Sequence, residues 1–139
     1  MKKTLVAIAI SVIALFAAQN ANGQVRTLTS DMFFSKIWDN DNETFINKNG
    51  IVIDFYATWC KPCHIMKPIF DNVANEYYNY HFYRVDIDEE ESLSGMFGID
   101  AIPTIIYIPH FNVNRTYYQS TGVIERKELI RNIKKYLKL

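Results

Sequence analysis

Apolar residues recur along this chain in distinct rhythms, and each rhythm predicts an element. Ile51-Val52-Ile53-Asp54-Phe55-Tyr56 is a run of β-branched and aromatic residues broken only by Asp54. Such a run suits a strand covered on both faces, as in a parallel sheet. From Cys60 to about Tyr77 the rhythm becomes helical, with Ile65, Met66, Ile69, Phe70, Val73 and Tyr77 on one broad face. Pro68 lies inside that pattern and is expected to kink the helix. His81 to Asp86 reads as a strand through Phe82, Tyr83 and Val85, and Thr104 to Ile108 as another. A turn over Pro109 to Asn114 leads to a fourth strand over Arg115 to Gln119. Glu125 to Tyr136 predicts an amphipathic helix with Leu129, Ile130, Ile133 and Leu137 on its apolar side.

Weaker signals fill the gaps. Val25 to Leu28 suits a short first strand. Thr29 or Ser30 caps a helix from Asp31 to about Trp38, with Met32, Phe33, Ile37 and Trp38 turned inward. Asp39 to Asn42 and Asn47 to Gly50 are turns. Asp88 to Glu91 is acidic and opens a short helix through Phe97, with Glu89 to Glu91 a solvated helix start. The element order predicts an α/β fold, a central mixed β-sheet flanked by helices. Its first part needs right-handed parallel crossovers and its end a hairpin.

The start of the chain follows another logic. Lys2 and Lys3 precede an uncharged run from Leu5 to Ala18 in which Ser11 is the only polar residue. A basic start, a short apolar stretch and the small residues of Ala21-Asn22-Gly23 describe a secretory signal peptide over residues 1–23, cut before Gln24. A membrane span needs roughly 20 apolar residues, so a retained anchor is the poorer reading. No cysteine lies near the cut site to carry a lipid. Residues 24–139 then form one domain. The chain holds 15 basic and 15 acidic residues, and this balance gives no pull toward nucleic acid.

Only two cysteines are present, in Cys60-Lys61-Pro62-Cys63. A bridge between them closes so short a loop that it stabilises the fold little, which favours a redox role over a structural one. The pair lies where a buried strand gives way to a helix. Unpaired backbone N–H groups and the positive end of the dipole favour a thiolate there. Lys61 acts in the same direction, and Pro62 is tolerated in a first turn. Cys60 is expected to be exposed and nucleophilic; Cys63, one turn further in, is expected to be shielded and to resolve the mixed disulfide. Asp54, if buried, has a raised pKa and takes the Cys63 proton. Pro103 is either a plain strand starter or the second residue of a cis Ile102–Pro103 bond that turns Ile102 toward the thiols.

Val52-Ile53-Asp54-Phe55-Tyr56-Ala57-Thr58-Trp59-Cys60-Lys61-Pro62-Cys63 resembles the active-site segment of thioredoxins, and Pro68 also matches that family. Val85-Asp86-Ile87-Asp88 resembles the family's third strand and the turn after it. Phe97-Gly98-Ile99-Asp100-Ala101-Ile102-Pro103-Thr104 resembles the stretch that holds its cis-proline, and Gly122 matches the glycine beside its substrate groove. These segments agree in order and spacing over nearly all of residues 24–139. The resemblance implies a thioredoxin fold, a Cys60 nucleophile, a Cys63 resolver, a buried Asp54 and a cis Pro103. It also implies a groove of Trp59, Ile87, Ile102, Pro103 and the backbone around Thr121 to Val123, centred on Gly122, with Lys61 and Pro62 beside it. Arg84 falls where thioredoxins often carry a lysine near the buried acid. Lys61 and Ala101 depart from common glycines, which affects potential and groove width.

The expected function is therefore thiol–disulfide exchange with disulfide-containing exported proteins, by a monomer in the periplasm or secreted. Pro62-Cys63 resembles reducing thioredoxins, whose potential lies near about −270 mV, so a protein-disulfide reductase is expected. Its electrons would come from a membrane thiol donor, with no stable membrane anchor after cleavage. No cofactor is expected beyond the Cys60–Cys63 disulfide, and no nucleic-acid partner. A disulfide oxidase or isomerase is the alternative within this chemistry. Cys60-Lys61-Pro62-Cys63-His64 also satisfies the C-x-x-C-H pattern of a c-type haem-binding electron carrier, although that motif follows a strand here and no second axial ligand is evident. No metal site is expected, because His64, His81 and His110 do not form the second ligand cluster that zinc needs.

Overall fold

The β-rich run at residues 51–56 becomes the central strand of a five-stranded sheet. A computed structural model of the chain describes residues 24–110 and 116–137. The expected leader at residues 1–23, and residues 111–115 of the expected turn and fourth strand, lie outside the described residues. Along the chain run β1 (Arg26–Thr27), α1 (Ser30–Lys36), β2 (Trp38–Asp39), β3 (Thr44–Phe45), β4 (Ile51–Tyr56), α2 (Lys61–Glu76), β5 (His81–Asp86), α3 (Glu91–Met96), β6 (Thr104–Ile108), β7 (Tyr118–Thr121) and α4 (Arg126–Tyr136). The sheet order is β1-β5-β4-β6-β7. β1, β5 and β4 are parallel, while β6 and β7 run antiparallel to their neighbours. This is the expected mixed sheet between helices.

Strand alternation sorts the core into two layers. Ile51, Ile53 and Phe55 join Leu28, Phe33, Val85, Leu93, Phe97 and Ile106 on the side of α1 and α3. Val52 joins Met66, Phe70, Val73, Phe82, Ile105, Tyr107, Leu129 and Ile133 on the side of α2 and α4. Asp54 has the parity of Val52, so the pleat points its carboxyl at the α2 layer. Its register partners are Arg84 on β5 and Ile105 on β6.

Several boundaries differ from the sequence expectation, for local reasons. α1 ends at Lys36, and Trp38 leaves the helix to pair with Phe45 in the two-stranded β2–β3 hairpin. The Asp39 carboxylate accepts the N–H groups of Asp41 and Asn42, and the Trp38 and Phe45 rings meet at 5.1 Å. The side-chain-capped turn and the aromatic pair thus outcompete another helical turn. α3 starts later than expected. Glu90 is not simply solvated: one carboxylate oxygen accepts both Ser30 N–H and Ser30 Oγ–H, tying the start of α3 to the start of α1. β7 starts at Tyr118 and extends through the polar Gln119, Ser120 and Thr121, because an edge strand needs no apolar outer face.

α2 runs on through Pro68 to Glu76, burying Cys63, Met66, Phe70, Val73 and Ala74. Ile65, expected on that face, is 60% exposed. It precedes Met66 by about 100° around the helix, off the buried stripe. Phe33, in contrast, is fully buried and meets the rings of Phe34, Trp38, Phe45 and Phe97 at centroid distances of 5.3–6.4 Å. Phe33→Ala is expected to lower the unfolding free energy by about 3–5 kcal/mol. Ile65→Ala should change it by under about 0.5 kcal/mol. Urea titrations of the two variants decide whether the buried stripe is placed correctly.

Candidate functional site

At the end of β4 the chain makes one tight turn and enters α2. Ala57 is buried, and its carbonyl accepts the Cys60 N–H at 3.2 Å. Cys60 then takes the N-cap position with extended backbone, and its Sγ accepts the Cys63 N–H at 3.2 Å. Lys61 and Pro62 occupy the first two helical positions, where a missing proline N–H leaves no bond unmade. Cys60 and Cys63 are joined as a disulfide with their Cα atoms 5.3 Å apart. A sulfur at this cap sits among unpaired N–H groups at the positive end of the dipole, an environment that favours the thiolate once the bond is reduced.

The expected contrast in exposure is absent in this oxidised form. Cys60 is 4% exposed and Cys63 is 3% exposed. Joined sulfurs share one pocket, walled by Ala57 with Tyr56, Ile87 and Ile102 packed against them. The two sulfurs differ instead in what they face.

Cys60 faces the groove. Its Sγ lies 3.9 Å from the Ile102 carbonyl oxygen, and the Ile102–Pro103 bond is cis. The Pro103 carbonyl accepts the Gly122 N–H at 2.8 Å. Gly122 has φ +89°, which residues with a side chain rarely adopt, so glycine is required at this close approach. Trp59 is 66% exposed, yet its indole N–H donates to Asp88 Oδ2 at 2.8 Å. Asp88 is itself held by its N–H bond to Asp86 Oδ1 at 3.0 Å. The structure therefore gathers Trp59, Cys60, Cys63, Ile87, Ile102 and Pro103, with Gly122 adjoining and Lys61 and Pro62 exposed on the first turn. Sequence reasoning missed the part played by Asp88, because a carboxylate in an acidic run looks like a helix start.

Cys63 faces the opposite way, into a cleft of about 350 Å³ that it lines with Asp54, Arg84, Thr27 and His64. Asp54 is 1% exposed. Its Oδ2 accepts Arg84 Nε–H at 3.0 Å, while no described residue bonds its Oδ1. Burial pushes the Asp54 carboxyl above its ordinary pKa, and the Arg84 charge offsets that only in part. Arg84 also reaches Asp71, and Asp71 reaches Lys67. Neither bond was anticipated. The signal in the sequence was the spacing Cys63, Lys67, Asp71, which puts all three on one helical stripe.

His64 turns back to the chain, its Nε2 at 2.9 Å from the Thr58 carbonyl oxygen. Among the described residues, no group of three or more His, Cys, Asp or Glu is placed to hold a metal ion.

This arrangement matches known proteins over most of the chain. The thioredoxin family model matches residues 24–135. A thioredoxin of Borreliella burgdorferi is 41% identical over 87 residues, spanning 60% of this chain and 74% of that protein. Thioredoxin H3 of Arabidopsis thaliana is 33% identical over 90 residues, spanning 65% of this chain and 73% of that one. Among solved structures, the thioredoxin of Malassezia sympodialis superposes with a TM-score of 0.67 at 26% identity, covering 84% of this chain and 93% of its own. Family members act on disulfide-containing protein substrates through a dithiol carried by the polypeptide itself. With its Cys60–Cys63 pair in place, this chain belongs to the thioredoxin family and is an enzyme of the protein-disulfide reductase type, a thiol–disulfide oxidoreductase whose redox group is its own disulfide.

Proposed function

We propose that the chain works as a reductase of disulfides in exported proteins, with Cys60 as nucleophile, Cys63 as resolving thiol and Asp54 as proton acceptor. The observation that carries this reading is the division of surroundings: Cys60 at the helix cap beside the groove, Cys63 on the cleft that holds Asp54. In the reduced enzyme the Cys60 thiolate attacks a substrate S–S bond. One substrate sulfur leaves as thiolate and a Cys60–substrate disulfide forms. Cys63 gives its proton to Asp54 and attacks Cys60 Sγ. The second substrate sulfur leaves, the Cys60–Cys63 disulfide closes, and two electrons have passed to the substrate. The Ile102 backbone beside Cys60 offers an extended substrate segment strand-like hydrogen bonds. Trp59, Lys61, Pro62, Pro103 and Gly122 form the surrounding contact surface.

Direction and setting rest on sequence. Pro62-Cys63 favours reduction, and Lys61 shifts the pair somewhat toward oxidation by favouring the Cys60 thiolate. Lys2, Lys3 and the Leu5–Ala18 run support export, with residues 24–139 as the mature monomeric domain in the periplasm or outside the cell. A reductase there draws its electrons from a membrane thiol carrier. Cell fractionation with N-terminal mass analysis should find a soluble exported form starting at Gln24. A product that keeps residues 1–23 and stays in the cytoplasmic fraction would overturn the export reading, and a retained leader in the membrane fraction would overturn the cleavage.

Cys60→Ser should abolish insulin disulfide reduction, whereas Cys63→Ser should accumulate mixed disulfides with substrate. Equal loss without trapping contradicts the assigned roles. A reduction potential near or above about −150 mV would turn the proposal from reductase to oxidase.

Asp54 supplies a test with a defined sign. Its folded pKa stands above the ordinary 3.8. Below that value the carboxyl is protonated folded and unfolded alike. As pH rises through the folded pKa, the folded state must ionise a buried acid, and stability is lost. Asp54→Asn should therefore raise the urea midpoint at pH 7, with the gain vanishing at acidic pH. The same variant should slow turnover by about 10- to 100-fold if Asp54 accepts the Cys63 proton. A stability gain that persists unchanged in acid would mean that Asp54 carries no burial penalty.

A further inference from the structure

Arg84 is shared between two carboxylates. Its Nε donates to Asp54 Oδ2 at 3.0 Å, and its Nη2 donates to Asp71 Oδ1 at 3.1 Å. The other Asp71 oxygen accepts Lys67 Nζ at 2.7 Å. A guanidinium beside one carboxylate favours the fork, two parallel N–H···O bonds that occupy both oxygens. Here the fork is not made: Asp54 Oδ1 is buried and no described residue bonds it. The guanidinium carbon lies 5.8 Å from the Tyr56 ring centroid and 5.5 Å from that of Phe70, so two rings hold it at this depth.

We propose that Asp71 is a positioning residue for the proton step: by holding one arm of Arg84 it keeps the guanidinium from chelating Asp54 and leaves Oδ1 free for the Cys63 proton. The inference rests on the reading of Asp54 as proton acceptor and names what controls that acceptor. Without Asp71, Arg84 keeps Asp54 as its remaining carboxylate partner. A bidentate pair then fixes Asp54 as the ion and weakens it as a base.

The charged and titratable groups around Asp54 come from four elements. Arg84 is on β5, Arg26 on β1 and Tyr56 on β4, while His64, Lys67 and Asp71 lie on α2. The Asp71 charge also acts on Asp54 directly, favouring the protonated acid. Loss of Asp71 therefore lowers the Asp54 titration by two routes, and only the route through Arg84 depends on the fork. Replacing Arg84 by lysine separates them, since an ammonium is a point charge that cannot divide two arms between two carboxylates.

The experiment follows the Asp54 carboxyl carbon by NMR across pH in the full chain with the disulfide intact, so that no thiol titrates. Asp71→Asn is expected to lower the Asp54 midpoint by about one pH unit or more, and Asp71→Glu to restore it. Asp71 is partly exposed on a helix, and Asp71→Ser is a second variant that must give the same downward shift. In an Arg84→Lys background, Asp71→Asn should shift the midpoint by less than half as much. An unchanged or raised midpoint in Asp71→Asn overturns the proposal, and so does an equal shift in the lysine background. Failure of the Asp54 role is read separately: if Asp54→Asn left turnover intact, the acceptor assignment would fall while the carboxyl titration still decided the Arg84 geometry.

Discussion

Strand β4 is buried on both faces, and a carboxyl placed in such a strand has no water to hold its charge. Asp54 stands fourth among six residues, between Ile53 and Phe55, and strand parity sends its side chain beneath α2. The same strand ends three residues before Trp59 and delivers Cys60 to the helix cap. One segment therefore fixes both the proposed nucleophilic sulfur and the acid behind it. Moving the register by one residue would turn Asp54 into the α1 layer, away from Cys63. The proton chemistry and the sulfur chemistry are thus coupled by the pleat of a single strand.

Front and back of the disulfide are built by different means. The front is backbone: the Ile102 carbonyl, the Pro103 carbonyl and the Gly122 N–H, with Trp59 pinned by Asp88 at the side. Main-chain groups bind extended segments with little demand on their sequence, which suits the proposed exchange with protein substrates. The back is side chain: Asp54, Arg84, Asp71 and Lys67 in an alternating-charge row. Such a row is specific and easily tuned by single substitutions. Substrate handling and proton handling can vary independently because they occupy opposite sides of one S–S bond.

Legibility in the sequence followed how local each signal was. The long elements were legible because their signals, a β-branched and aromatic run in β4 and a 3.6-residue period in α2, extend over many residues. The cysteine pair and the acid at position 54 share one short segment, whereas the groove residues, spread from Trp59 to Gly122, were legible only through the family resemblance. Trp38 was misassigned because a two-residue strand leaves no period, and its pairing with Phe45 depends on the Asp39 turn. Ile65 was placed inward because an apolar residue next to Met66 satisfies a broad helical stripe, although the buried arc is narrower. Asp88 reads in the sequence as part of an acidic helix start and Glu90 as a solvated charge, while Asp71 carries no signal of its own. Each is held by a partner 13 to 60 residues away in sequence, and only the folded chain brings those partners together.

The choice of arginine at position 84 gives this back side its character. A lysine in the same place offers one compact charge that can be shared only by distance. Arginine offers several donors in a plane and does not lose its proton in the working range. Arg84 therefore cannot carry a proton to or from Asp54, and under the proposed mechanism the proton that leaves Cys63 is stored on the carboxyl itself or passes onward through the cleft. Burial favours the neutral acid and Arg84 favours the ion. These opposed effects meet on one group, so the share of Arg84 that Asp54 receives sets how readily it accepts a proton. Because Arg84 is shared with Asp71, the proposed mechanism gives a surface-edge carboxylate on α2 leverage over the chemistry of a sulfur two helical turns away.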